Sequence, residues 1–163
     1  MQRLLLLFIC AFFIASCNRS VEENLSQKAR EEIIQTEKDF SAMSESRGMK
    51  EAFLNYAADD VVKLRNREYP IVGISSLRNA FEADNDTASI LKWYPLKADA
   101  ASSGELGYTY GNWEYTGKDT TGKEIKAYGN YFTVWKKNKD GIWKFTLDGG
   151  NTTPPPVNNE EKL

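Results

Sequence analysis

Two groupings in this chain have the residue types and spacing to do chemistry: a pair of adjacent carboxylates, and an alternation of tyrosine with asparagine. Asp59 and Asp60 could share a proton or chelate a cation. Neighbours on a strand point to opposite faces, however, and no third acid lies close in sequence, so a turn from helix to strand accounts for the pair. Further along, Tyr108, Tyr110, Asn112, Tyr128 and Asn130 set hydroxyls and amides at every second position. That is the set with which an aromatic wall orients a small, partly apolar ligand, and Trp93 and Arg65 are candidates for its mouth. Two other readings stand beside it. The tyrosines and asparagines could simply satisfy one another across a sheet or serve a protein partner. Alternatively, an isomerase, cyclase or hydrolase type of enzyme could use Asp60 or Asp148 as base, with tyrosine hydroxyls stabilising an oxyanion. Asp148 alternates with Trp143, Phe145 and Leu147, which sets it on the other face unless the strand bulges.

What is missing narrows the chemistry further. The chain has no histidine, which removes Ser-His-Asp and Cys-His relays, imidazole bases and His-ligated zinc. No metal site and no cofactor is expected. The formal charge is −2, with basic and acidic residues interspersed, so no basic face is offered to nucleic acid. At 163 residues, 41% hydrophobic and 27% charged, the chain has one domain's length and ordinary globular composition.

The elements that must position these residues are legible in outline. Ala29, Ile33, Ile34, Phe40 and Met43 recur at helical spacing within residues 26–47, and the charged residues between them, Glu37 included, read as a solvated face ended by Gly48. A shorter helix over 50–57 buries Phe53 and Leu54, and residues 61–64 read as a strand. Residues 69–73 are extended and lead into a helix capped by Ser75 or Ser76. Residues 90–98 form a strand in which Pro95 requires an edge or a bulge.

Residues 106–151 hold ten of the twenty aromatic residues and read as three strands joined by two turns. Setting Glu114 opposite Lys126 in the first hairpin places Asn112 against Tyr128, Tyr110 against Asn130 and Tyr108 against Phe132. A two- or four-residue loop at Asp140 and Gly141 puts Trp143 and Phe145 on the face of Phe132 and Val134; a three-residue loop reverses this. The Tyr128 and Asn130 face is then the expected pocket wall, and the face of Tyr131 and Trp135 the expected surface for a homodimer. Residues 149–163 read as a loose, proline-rich tail, which the domain division begins at 152.

The first 16 residues read as a signal peptide, with Arg3 before an apolar run too short to span a bilayer. Ile14-Ala15-Ser16-Cys17 resembles a bacterial lipobox, so Cys17 is the expected lipidation site and the bacterial cell envelope the expected location, with the membrane as a partner. Residues 17–25 then form a tether and 26–151 the domain. Removal of Arg3 leaves 20 basic against 23 acidic residues, a charge of −3.

In order, the quoted stretches YAADDVVKL, PIVG, GELGYTYGNWEYTG and YGNYFTVWKKNKDGIWKFTLDGGN resemble the SnoaL-like and ketosteroid-isomerase-like branch of the nuclear transport factor 2 superfamily. The resemblance spans residues 26–151. It implies an α+β fold in which a curved mixed sheet wraps round N-terminal helices into a cone, a pocket at the wide end, and frequent dimers. It also implies a catalytic aspartate, in the isomerases, at the position that falls at or beside Arg65, and a pocket histidine in the dehydratases. This chain has neither, so a lipid-anchored binder of a small apolar or aromatic molecule is the leading expectation.

Overall fold

A computed structural model describes the backbone of residues 2–84 and 89–156, with side chains from Glu22 onward. Among the described residues the elements follow in the order α1 (Gln2–Arg47), α2 (Met49–Tyr56), β1 (Ala57–Lys63), β2 (Ile71–Val72), α3 (Ile74–Ala83), β3 (Ile90–Ala100), β4 (Leu106–Lys118), β5 (Glu124–Lys137) and β6 (Trp143–Thr153). The sheet order is β2-β1-β6-β5-β4-β3, with β1 and β6 parallel and all other pairs antiparallel. The fold is therefore α+β, with the N-terminal helices packed on one face of a six-stranded mixed sheet, as the sequence predicts.

Helix α1 is continuous through residues 18–25, where the sequence predicts a tether. Its inward ridge runs Ala29, Ile33, Glu37 and Ser41 at four-residue spacing, with Phe40 and Ser44 beside it, all buried. Glu37 is thus no member of a solvated face. Gly48, at φ 94°, breaks the chain between α1 and α2. Gly73, at φ 84°, performs the same turn before α3, so the expected serine cap is replaced by glycine geometry with no side-chain cap. Pro95 meets both of its conditions: β3 is an edge strand, and its register with β4 shifts between Pro95 and Lys97.

Two registers differ from expectation, for local reasons. In the first hairpin the Asp119 carboxylate accepts hydrogen bonds from the Thr121 amide (2.8 Å), the Thr121 hydroxyl (2.7 Å) and the Lys123 amide (3.0 Å). The loop keeps two more residues than the expected register allows, Lys118 pairs with Glu124 instead of Gly122, and Asn112 faces Asn130. Glu114 finds its cation on the other neighbour, Lys92 of β3, at 3.4 Å. The slip is two residues, so every side chain keeps its face.

In the second hairpin the Asn138 side chain accepts from the amides of Asp140 (3.0 Å) and Ile142 (2.9 Å), and Lys137 pairs with Trp143. That odd offset moves Trp143 and Phe145 to the face of Trp135, not of Phe132 and Val134. A bulge between Val134 and Trp135 then restores Val134 against Leu147 and sets Asp148 opposite Thr133, on the inner face.

Strand β6 also outlasts its expected end. Gly149, Gly150, Asn151, Thr152 and Thr153 pair with Phe132, Tyr131, Asn130, Gly129 and Tyr128. Glycine is required at Gly150, where a Cβ would lie 2.3 Å from the Asn130 carbonyl oxygen. Among the described residues, the segment read as a tail is therefore partly sheet; residues 157–163 lie outside the description. At the centre of the core the Phe40 ring meets those of Trp93 (4.5 Å), Phe53 (4.8 Å) and Phe145 (5.6 Å).

Candidate functional site

The inner face of β4 and β5 is built by pairing rings with glycine. Directly opposed across the two strands are Gly107 and Trp135, Thr109 and Thr133, Gly111 and Tyr131, Trp113 and Gly129, and Tyr115 and Ala127. A Cβ on Gly111 would stand 2.8 Å from Cε1 of Tyr131, and one on Gly129 only 2.3 Å from Cε2 of Trp113. The Tyr131 and Trp113 rings thus lie across the space their opposed glycines leave empty. Over Gly107 that space is taken by Cδ1 of Ile33 from α1, 2.5 Å from where a Cβ would be.

At one end of this face the helices leave a cavity of about 290 Å³. Its walls are the rings of Phe40, Phe53, Trp93, Trp113, Tyr115 and Tyr131, with Leu91 and Ala127. Lys63 and Asp148 supply its charged edge, and Leu64, Asn66 and the β6 residues Gly149, Gly150, Asn151 and Thr152 complete the rim. Lys63 and Asp148 are paired neighbours on the parallel strands β1 and β6, and their side chains form an ion pair. The Lys63 ammonium also stands 4.4 Å from the Phe53 ring centroid, and the Thr133 hydroxyl donates to Asp148 Oδ2 at 3.0 Å.

Behind this wall lies a second carboxylate, which the sequence reading missed. Glu37 is fully buried and accepts three hydrogen bonds from neutral donors. The Trp93 indole donates at 2.7 Å, the Thr109 hydroxyl at 2.5 Å and the Trp135 indole at 2.9 Å. Burial pushes its pKa up to about 7; the three hydrogen bonds oppose that shift and the charge of Asp148 adds to it. The signal was present in the sequence, since Glu37 lies four residues after Ile33 and three before Phe40 on one helical face.

Tyr131 stands between the two carboxylates. Its hydroxyl is buried near the Glu37 carboxyl, and burial first, then the charges of Glu37 and Asp148, hold its proton well above the usual phenol range.

Of the residues the sequence proposes for a pocket, Trp93 lines the cavity and Tyr108, Tyr110, Asn112, Tyr128 and Asn130 do not. Those five share the outer face of the sheet, where Tyr108 and Tyr110 are exposed and the Asn130 amide donates to the Asn112 side-chain oxygen at 2.7 Å. The expected faces are exchanged because α1 seals the Tyr131 and Trp135 face, which therefore cannot be a surface for a second copy. Arg65 is outside the cavity lining and pairs with Glu68 at 3.0 Å. Asp60 is exposed on β1 and absent from the lining, whereas Asp148 is in it. Among the described residues no cluster of carboxylates or cysteines could hold a metal ion. The side chain of Cys17 lies outside the described residues; among those described, no helix is long and apolar enough to cross a membrane.

No family model matches the chain, and no curated protein matches it. Solved structures do. A ketosteroid isomerase-like protein from Erwinia carotovora atroseptica superposes with a TM-score of 0.63 at 16% identity, covering 75% of this chain and 95% of its own. An NTF2-like protein of unknown function from Pseudomonas putida gives 0.62 at 17%, covering 85% and 95%. The association domain of the C. elegans CaMKII gives 0.56 at 13%, covering 75% and 94%. At these identities the likeness establishes the fold, which is NTF2-like, and leaves the function to the site.

Proposed function

We propose that this domain binds a small, largely aromatic molecule in the cavity between α1, α2 and the inner face of the sheet. The observation that carries this reading is a ring-walled space of about 290 Å³ with a charged edge at Lys63 and Asp148. Apolar walls provide affinity through burial, and a few fixed polar groups provide orientation. The test is native mass spectrometry of the chain purified from its host, with thermal shifts on any small molecule released. A cavity-filling change, Ala127→Phe, is expected to abolish both the bound mass and the shift. A chain that carries no small molecule and responds to none would overturn the reading.

One observation favours a second reading, acid–base catalysis: the β6 bulge turns Asp148 into the cavity beside Tyr131. Under that reading Asp148→Asn retains the bound molecule and stops its conversion. The proposal also includes a lipid on Cys17 that holds the domain to the bacterial cell envelope, and a homodimer through the sheet's outer face. The lipobox-like sequence supports the first, and the exposed rings Tyr94, Tyr108, Tyr110 and Phe132 support the second. Cys17→Ser should move the protein from the membrane to the soluble fraction, and sedimentation gives the mass of the assembly.

A further inference from the structure

We propose that the cavity selects an uncharged ring compound carrying a hydrogen-bond donor beside an acceptor, as in a cyclic amide or a carboxamide, and that the Lys63–Asp148 pair reads that edge. The proposal rests on the cavity being a binding site and names the chemical class it takes.

The cavity's charged edge is a cation and an anion held side by side. Lys63 and Asp148 are in register on neighbouring strands, both line the cavity, and their side chains are only 21% and 7% exposed. One Asp148 oxygen takes the ammonium and the other the Thr133 hydroxyl, yet each carboxylate oxygen has a further lone pair, and the ammonium has three N–H groups in all. A ligand that reaches this edge displaces water from both ends. A hydrocarbon would leave both desolvated without a partner, which is costly for charged groups in an apolar site. A lactam or carboxamide meets both at once: its carbonyl accepts from Lys63 and its N–H donates to Asp148.

The electrostatics exclude the charged alternatives. A carboxylate ligand would enter beside Asp148, adding a second negative charge opposite one lysine, with the Glu37 carboxyl behind the same wall. An ammonium ligand would compete with Lys63 itself, which already occupies the cation position over the Phe53 ring and against Asp148. The charges at the edge already cancel, so a neutral ligand with paired donor and acceptor leaves that balance undisturbed.

The experiment measures dissociation constants of the full chain for five bicyclic probes: quinolin-2-one, its N-methyl derivative, naphthalene, 2-naphthoate and 2-naphthylmethylamine. Quinolin-2-one is expected to bind at least tenfold tighter than each of the others. In the double variant Lys63→Met with Asp148→Leu that preference should vanish while naphthalene still binds. If naphthalene or the N-methyl compound equals quinolin-2-one in the native chain, the class is overturned and the binding site stands. If naphthoate or the amine binds tightest, a charged class replaces it. If none of the five binds, the class and the site fall together. Should the double variant fail to fold, the ratios in the native chain decide.

Discussion

The two faces of the central hairpin carry almost equal numbers of aromatic residues and treat them in opposite ways. On the inner face a large ring is opposed by a residue with little or no side chain: Trp135 by Gly107, Tyr131 by Gly111, Trp113 by Gly129 and Tyr115 by Ala127. On the outer face large opposes large, with Tyr110 against Phe132 and Tyr108 against Val134, and the rings stand out into solvent at 37–45% exposure. Glycine placement, more than hydrophobicity, marks the face that a helix will cover. Tyr131 and Trp113 lie over glycines that have no Cβ to lift them, and Gly107 leaves its space to Ile33 of α1.

The largest test of this contrast is made where the inner face meets α1. Glu37→Ala removes the acceptor shared by two indoles and a threonine hydroxyl, each buried. The Trp135 indole keeps the Thr109 hydroxyl oxygen at 3.2 Å, so two buried donors lose their acceptor; at about 1–3 kcal/mol each the loss is on the order of 4 kcal/mol, a large share of a whole domain's stability. Denaturant unfolding should find the variant largely unfolded. Near-native stability would mean that the buried network contributes nothing to the inner face. Exposed polar residues of the outer face should tolerate alanine within about 0.5 kcal/mol.

Next in size is a pH effect that belongs to the same residue. The folded pKa of Glu37 is raised to about 7, chiefly by burial, against 4.5 for the free side chain. The folded state therefore holds this proton over a range where the unfolded chain has released it. The associated stability is fully present below about pH 4.5 and is lost as pH rises through about 7, in total on the order of 3 kcal/mol. Glu32, whose pKa is lowered by its bond to Lys137, acts in the opposite sense at acid pH, so the comparison needs a control. Glu37→Gln supplies it, because the amide mimics the protonated acid and can donate to Thr109. Unfolding at pH 5 and pH 8 should show the native chain losing stability relative to this variant; parallel behaviour would remove Glu37 as the titrating group.

A smaller change separates the faces at the level of a single methyl. Gly129→Ala places a Cβ 2.0 Å from the Asn151 carbonyl oxygen of β6 and 2.3 Å from the Trp113 ring, and overpacking of this kind costs at least about 1–3 kcal/mol. The cavity wall shifts with the ring, so ligand binding should fall together with stability. A mutant of unchanged Tm and unchanged affinity would show that neither the ring nor the neighbouring strand needs the space.

These contrasts also explain what the sequence disclosed. Elements and their order were legible because periodicity is local: the Ile33 and Phe40 stripe, the edge strand at Pro95 and the three aromatic strands were all expected in place. The faces were not, because they depend on one residue of register. Asn138 folds its side chain onto two amides and makes the second turn odd, and the bulge beside Trp135 then rights the strand beyond it. Neither event is written in hydrophobic alternation, yet together they decide whether Phe145 and Asp148 look inward. Glu37 was misread for a different reason. Its charge outweighed its position, although the four-residue spacing from Ile33 already placed it in the ridge. Gly149 and Gly150 resembled the opening of a tail because a glycine that permits close strand approach looks in sequence like one that permits a loop.

The smallest effect tests the outer face. Tyr110 is 45% exposed and opposes Phe132, so its replacement by threonine removes one cross-strand ring pair while keeping a β-branched strand residue. Such pairs contribute about 0.2–1 kcal/mol, and the hydroxyl has no inner-face role to lose. The Tm should move by a few degrees at most, and the affinity of the cavity should not move at all, since the ring stands on the far side of the sheet. If the outer rings seat a second copy of the chain, the same substitution lowers the sedimenting mass at a given concentration while each domain stays folded. A large loss of stability in a chain that sediments as a monomer would contradict the contrast directly, because it would make an upright, solvent-facing ring as important as one laid flat over glycine.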